Sequence, residues 1–133
     1  MFVPATRKHF DYVLTNPAPF AASEFARMDR LTAEAIFENS FARVTVENAE
    51  GIPLCLFGLI WLDLMAGLAL VWFVASSERN GRRQAMREFP GIAPLTPVTV
   101  RTVCASIETG ENGHWASWCG LEKVTDNYYE WRR

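Results

Sequence analysis

Three cysteines, two histidines and a run of arginines are the side chains here that could ligate a metal, attack a carbonyl or hold a phosphate. Cys55, Cys104 and Cys119 are odd in number and irregularly spaced, which makes a poor disulfide framework and matches no zinc pattern. Cys55 and Cys104 sit inside apolar runs and read as small core residues. His114 and Cys119 lie near each other, but no third ligand or orienting aspartate shares their segment, so no metal site is expected. Arg79, Arg82, Arg83 and Arg87 follow a long apolar stretch. Their guanidinium groups could hold phosphate through paired N–H donors, or they could form a solvated basic face or meet an acidic partner.

The elements that would position these groups follow from periodicity and punctuation. Thr6 is placed to cap a helix carrying Phe10, Val13 and Leu14, which Asn16-Pro17 stops. Ser23 caps a second helical region that runs through Phe25, Met28, Leu31, Ile36, Phe37 and Phe41, with Glu34 and Glu38 toward solvent. The period then changes to two: Val44 and Val46 face one way, Thr45 and Glu47 the other, before a turn at residues 48–51. Residues 52–75 carry a single charge, Asp63, and are long enough to cross a bilayer. Yet Pro53, Gly58 and Gly67 interrupt the run, and Asp63 would lie near mid-membrane, where a charge costs about 2.5–3.5 kcal/mol. Two buried strands, 54–62 and 68–76, fit better than a single membrane span, which is kept as a rival. Because both are apolar at nearly every residue, they should be central and covered on both faces.

Ser76-Ser77-Glu78 is expected to open a helix with Ala85, Met86 and Phe89 inside, closed by Pro90-Gly91. A loop over 92–97 leads to a β-branched strand, 98–107. Residues 109–113 form a turn and 114–119 a short helix ending at Gly120, a natural left-handed stop. Two short strands, 121–124 and 128–131, finish the chain. With 133 residues, half of them apolar, and a formal charge of −2, the composition excludes a disordered tail and a disulfide-stapled miniprotein. It also gives no basic surface for wholesale nucleic-acid binding. No basic segment followed by an apolar stretch opens the chain, so no signal peptide is expected, and reduced thiols point to synthesis in a cytoplasm.

The order β-α-α-β-β-β-α-β-α-β-β resembles the GCN5-related N-acetyltransferase (GNAT) fold over residues 1–133, read as one domain. The segments that carry the resemblance are Val71-Trp72-Phe73-Val74-Ala75-Ser76 as strand four, the stretch from Asn112 to Leu121 as helix four, and Tyr128-Tyr129-Glu130-Trp131-Arg132 as the last strand. The resemblance implies an α/β (α+β) architecture, a mixed and mostly antiparallel central sheet with helices on both faces. Within it the chain is similar to the short versions carried by tailed bacteriophages, among them the acetyltransferase-like internal virion protein of T7-like podoviruses.

In an active member, the resemblance implies, Gln/Arg-x-x-Gly-x-Gly/Ala after strand four lets backbone N–H groups approach the pyrophosphate of acetyl-CoA at a helix N-terminus. Here Gly81 matches the first glycine, Glu78 stands where Gln or Arg is expected, and Arg83 replaces the second small residue. The residues facing acetyl-CoA would be Val74, Ala75, Arg79, Gly81, Arg82, Arg83 and Asn112. The general acid, usually a Tyr four residues before the Gly of helix four, is Ala116. His114 is the nearby group that titrates near neutrality, and Glu78 or Asp63 could serve as base. Two of the three chemical demands are unmet at their expected positions. The expectation is therefore a virion protein using a degenerate GNAT scaffold, with Trp115, Trp118 and Arg87 contacting portal, tail or internal proteins in an oligomeric assembly. That reading requires no cofactor. Its rival is a working acetyl-CoA-dependent N-acetyltransferase acting on a host protein or small amine, which demands an opening between strand four and the strand that follows.

Overall fold

The computed structural model describes residues 1–17, 29–77, 81–106 and 114–133, with the backbone alone at residues 81–83, 86 and 114. Helix α1 (Arg7–Thr15) starts where its cap predicts: the Thr6 side chain accepts from the His9 N–H, while His9 Nδ1 accepts the Thr6 N–H at 2.9 Å. These reciprocal bonds satisfy two backbone donors that a helix start otherwise leaves open. Because Nδ1 accepts, Nε2 carries the ring proton and meets the Glu47 carboxylate at 2.5 Å, tying α1 to the sheet.

Helix α2 (Arg30–Asn39) is capped by Asp29, whose Oδ1 accepts the Thr32 N–H at 2.8 Å. Ser23, Phe25 and Met28 lie outside the described residues. The helix is shorter than the periodicity implied. Ser40 takes extended dihedrals and ends it, so Phe41 stacks on Trp61 outside the helix at 4.6 Å between ring centroids. Leu31 is 78% exposed, because Ala33 and Phe37, one turn apart, define the buried stripe.

Strands β1 (Phe2–Pro4), β2 (Ala42–Glu47), β3 (Pro53–Asp63), β4 (Leu68–Ala75), β5 (Thr102–Ser106), β6 (Glu122–Thr125) and β7 (Tyr128–Arg132) form one sheet in the order β1-β2-β3-β4-β5-β7-β6. Every pairing is antiparallel except β4 with β5. The long apolar run is the β3–β4 hairpin, turned where Asp63 Oδ1 accepts the Ala66 N–H and Gly67 adopts a left-handed φ of 67°. No helix among the described residues is long and apolar enough to cross a membrane. The single-span reading falls for a physical reason: residues 53–63 and 68–75 are extended and paired as adjacent strands, not coiled along a helix.

Consecutive residues of β4 point to opposite faces, and both faces are covered. Trp72 meets Phe37 of α2 at 6.3 Å, and Phe37 stacks on Phe10 of α1 at 4.5 Å. Phe73 points the other way, to Trp115 of α4 (His114–Trp118), at 5.5 Å and 22°. Beside it Phe57 stacks on Phe89, just past the end of α3 (Gly81–Glu88), at 3.8 Å and 2°.

Gly58 is cross-strand from Trp72, and a Cβ there would overlap the indole ring. The ring cannot swing aside freely, because it is buried and its Nε1–H donates to Ser40 Oγ at 2.8 Å. Gly58→Ala is expected to cost about 1–3 kcal/mol through overpacking, read by urea denaturation together with a changed near-ultraviolet tryptophan signal. A variant of wild-type stability and spectrum would show that the indole does not lie on that glycine.

Two expected boundaries move. The strand placed at 98–107 begins at Thr102: the Val100 N–H bonds the Pro97 carbonyl in a turn, and Val98 is 82% exposed. β-Branched composition suggested strand there, but Pro97 ties the chain into a turn. The helix expected to open at Ser76 begins at Gly81. The Ser76 N–H still bonds the Leu54 carbonyl and the Ser77 N–H bonds the Asn16 carbonyl, so both serine N–H groups are held by neighbouring chain and neither opens a helix.

Candidate active site

The β4–β5 ladder is short. It pairs Leu68 with Thr102, Ala69 with Val103 and Leu70 with Cys104, and then stops, while β4 runs on to Ala75 and β5 to Ser106. The hydrogen bond from Ser76 N–H to Leu54 fixes which β4 groups are committed to β3. In an antiparallel pair, alternate residues direct both N–H and C=O to the same neighbour. Trp72 and Val74 therefore face β3, whereas Phe73 turns its N–H and C=O, and Ala75 its N–H, toward the side where β5 has diverged. Just beyond, Pro17 bridges Ser76 and the Ser77 N–H bonds the Asn16 carbonyl, so residues 16–17 line the end of that edge. An extended chain bearing amide groups can add to such an edge as a strand would.

The floor beside this gap is aromatic. Phe73 and Trp115 stack there, and Trp118 lies 5.5 Å from both Phe57 and Phe89. Helix α4 ends at Gly120, with φ at 103°, where the Leu121 N–H bonds the Ala116 carbonyl. Ala116 is fully buried.

The proposed site residues are distributed as follows. Ala75 turns its N–H toward the gap beside the Pro17–Ser76 bridge, while the backbone of Val74 belongs to β3; both side chains are buried. Gly81, Arg82 and Arg83 form the first turn of α3, and His114 is the first residue of α4, directly before the Trp115 that touches β4. Glu78, Arg79 and Asn112 lie outside the described residues. Arg87 is exposed on the last turn of α3. Trp115 and Trp118 are half-buried and packed against the core. Asp63 closes the hairpin at the far end of β4 from Ala75, where its carboxylate accepts from the turn.

A second group of side chains, which sequence reasoning passed over, sits where the strands part. On β5 and β7, Cys104 is cross-strand from Glu130 and Ser106 from Tyr128, which puts all four on one face. Leu70 shares that face, because it pairs with Cys104 at the last rung before the divergence. The Tyr128 hydroxyl donates to Glu130 Oε2 at 3.1 Å and also meets the Cys104 thiol. Arg132 Nε holds the other oxygen, Glu130 Oε1, at 2.5 Å. Burial first, then the neighbouring thiol and carboxylate, push the Tyr128 hydroxyl up to about 12. Burial likewise raises Cys104, and it pushes Cys55 up to about 12 and Cys119 up as well, so the thiols are held protonated. Period-two reading of β7 groups Tyr128, Glu130 and Arg132 on one face. Their meeting with Cys104 depends on β7 lying next to β5, which no local pattern encodes.

Solved structures share this architecture along nearly the whole chain. A GNAT-family acetyltransferase from Staphylococcus aureus aligns with TM-score 0.62 at 15% identity, covering 99% of this chain and 98% of its own. The ribosomal-protein-alanine N-acetyltransferase of Brucella melitensis aligns with TM-score 0.67 at 14% identity, covering 100% and 99%. Aminoglycoside 6'-acetyltransferase type Ii aligns with TM-score 0.67 at 10% identity, covering 99% and 96%. The chain has the GNAT fold. No protein-family model matches it, and no curated protein sequence does. Measured against the pattern expected of an active GNAT site, Gly81 is present at the start of α3, and the position of the helix-four acid holds a buried methyl group, Ala116.

Proposed function

We propose that this protein is an acetyl-CoA-dependent N-acetyltransferase, moving an acetyl group to an amine of a protein or a small molecule. The observation that carries the reading is the divergence of β5 from β4 after Leu70, which leaves the N–H and C=O of Phe73 and the N–H of Ala75 beyond the last β4–β5 rung, in an edge bordered at Ser76 by Pro17. Those groups can bind the two amides of a pantetheine arm as an added strand. Phe73 and Trp115 supply an apolar wall that keeps water from the thioester. The start of α3 at Gly81 offers N–H groups and a positive dipole end to phosphate, and the neighbouring sequence carries Arg79, Arg82 and Arg83, residues of the type that binds phosphate. Likeness to three acetyltransferases of known structure supports the same reading.

One observation favours a second reading, a GNAT scaffold that contacts virion proteins without chemistry: Ala116 cannot donate a proton. Calorimetric titration with acetyl-CoA separates the two. Saturable binding with Kd below roughly 100 µM, in the ordinary range for enzyme substrates, is expected, together with release of CoA thiol when primary amines are added. Absence of binding overturns the transferase and leaves the scaffold.

A further inference from the structure

We propose that Tyr128 is the general acid of this site, taking from the last strand the part that Ala116 leaves vacant, with Glu130 as the proton acceptor that serves it. The assignment rests on the acetyltransferase reading above and goes beyond it by naming the groups that move the proton.

In acyl transfer from a thioester the bond to sulfur must break next to a proton donor, and the thioester of a chain lying along Phe73 and Ala75 reaches the point where β4 and β5 part. Cys104 marks that point, as the last β5 residue paired with β4. The Tyr128 hydroxyl meets the Cys104 thiol and donates to Glu130 Oε2 at 3.1 Å. It is thus a proton-bearing group at the apex, on the same face as Leu70. The groups around it are the Cys104 thiol, the Glu130 carboxylate, Arg132 on Glu130 Oε1, and the exposed Glu122 of β6, cross-strand from Glu130. A phenol raised to about 12 is fully protonated at neutral pH, and because the same rise makes it a weaker acid, its proton leaves for sulfur only as Glu130 returns one across their hydrogen bond.

The step balances. The amine nitrogen forms a bond to the acetyl carbon, and the carbon–sulfur bond breaks with its electron pair on sulfur. The proton lost by the amine goes to the Glu130 carboxylate, Tyr128 gives its proton to the CoA sulfur, and the phenolate recovers one from Glu130 across their hydrogen bond. The products are the N-acetyl amine and CoA thiol, and both side chains return to their starting states.

The test uses CoA itself, so it does not depend on knowing the acceptor. In Tyr128→Phe the ring is kept and only the hydroxyl is lost. A donor at the sulfur favours the thiolate, so the thiol of bound CoA, followed by its ultraviolet thiolate absorbance, should ionise about one pH unit lower in wild type than in the variant, a tenfold difference. With any amine that wild type acetylates, kcat should fall roughly 100-fold with the KM for acetyl-CoA unchanged. Glu130→Gln should slow turnover without abolishing CoA binding. Equal thiol ionisation in wild type and Tyr128→Phe, with CoA bound to both, overturns this assignment and leaves the acetyltransferase reading standing. Failure of wild type to bind CoA or acetyl-CoA removes that reading, and this inference with it.

Discussion

Truncating Phe57 to alanine is expected to cost about 3–5 kcal/mol of folding free energy. The ring is buried at the centre of β3 and joins four elements. It stacks on Phe89 past the end of α3 at 3.8 Å, meets Phe73 of β4 at 4.9 Å, and meets Trp118 of α4 at 5.5 Å. Its removal leaves a cavity that the stiff sheet cannot close, because Phe57 and Phe73 are paired in the central hairpin. Against a total stability of about 5–15 kcal/mol for a typical domain, such a loss brings the protein near its unfolding threshold. Phe57→Leu restores most of the buried area and should lose much less. Urea denaturation of the three proteins measures the series. A cost for Phe57→Ala below about 1 kcal/mol would show that the aromatic cluster does not hold α3 and α4 on the sheet. The same packing carries a functional consequence. If acetyl-CoA bridges β4 and α3, saturating ligand should recover part of the lost stability, since it binds only the folded chain.

Proline at Ala75 is expected to weaken acetyl-CoA binding at least about tenfold, roughly 1.4 kcal/mol, without unfolding the sheet. The Ala75 N–H points into the gap, and the Ser76 N–H that ends the β3 ladder is untouched. Proline is tolerated where no ladder bond is lost, and its ring would also occupy the space of an added strand. Val74→Pro is the internal control, because Val74 pairs with Leu56 and its N–H serves β3. There the cost should be about 3 kcal/mol or more, and folding itself should suffer. Calorimetric titration and thermal melts of the two variants read the contrast. Unchanged acetyl-CoA affinity in Ala75→Pro, or equal destabilisation by both prolines, would show that the edge assigned to the ligand is not free.

Most elements were legible because their signals are local. Thr6 and Asn16-Pro17 bracket α1 by capping and by loss of a donor. Asp63 and Gly67 turn the hairpin, and Gly120 stops α4 through a backbone conformation that other residues rarely adopt. Cys55 and Cys104 are buried as their apolar neighbours suggested. The errors also have local causes overridden by neighbours. Residues 98–99 have strand composition but form a turn after Pro97, closed by the Val100 N–H on the Pro97 carbonyl. Ser76 and Ser77 look like a helix cap, yet their N–H groups are taken by Leu54 and Asn16, brought close by the fold.

The amino-acid order alone determined the kinds of element, their turns, the central apolar hairpin and the absence of a proton donor at position 116. Tertiary structure decided that β7 lies beside β5, that the β4–β5 ladder ends at Cys104, and that Tyr128, Glu130 and Cys104 consequently meet at the apex of the gap. The reason is the range of the forces involved. Capping, turn geometry and side-chain alternation act over a few residues, whereas strand adjacency joins segments far apart in sequence and is selected by the packing of the whole sheet.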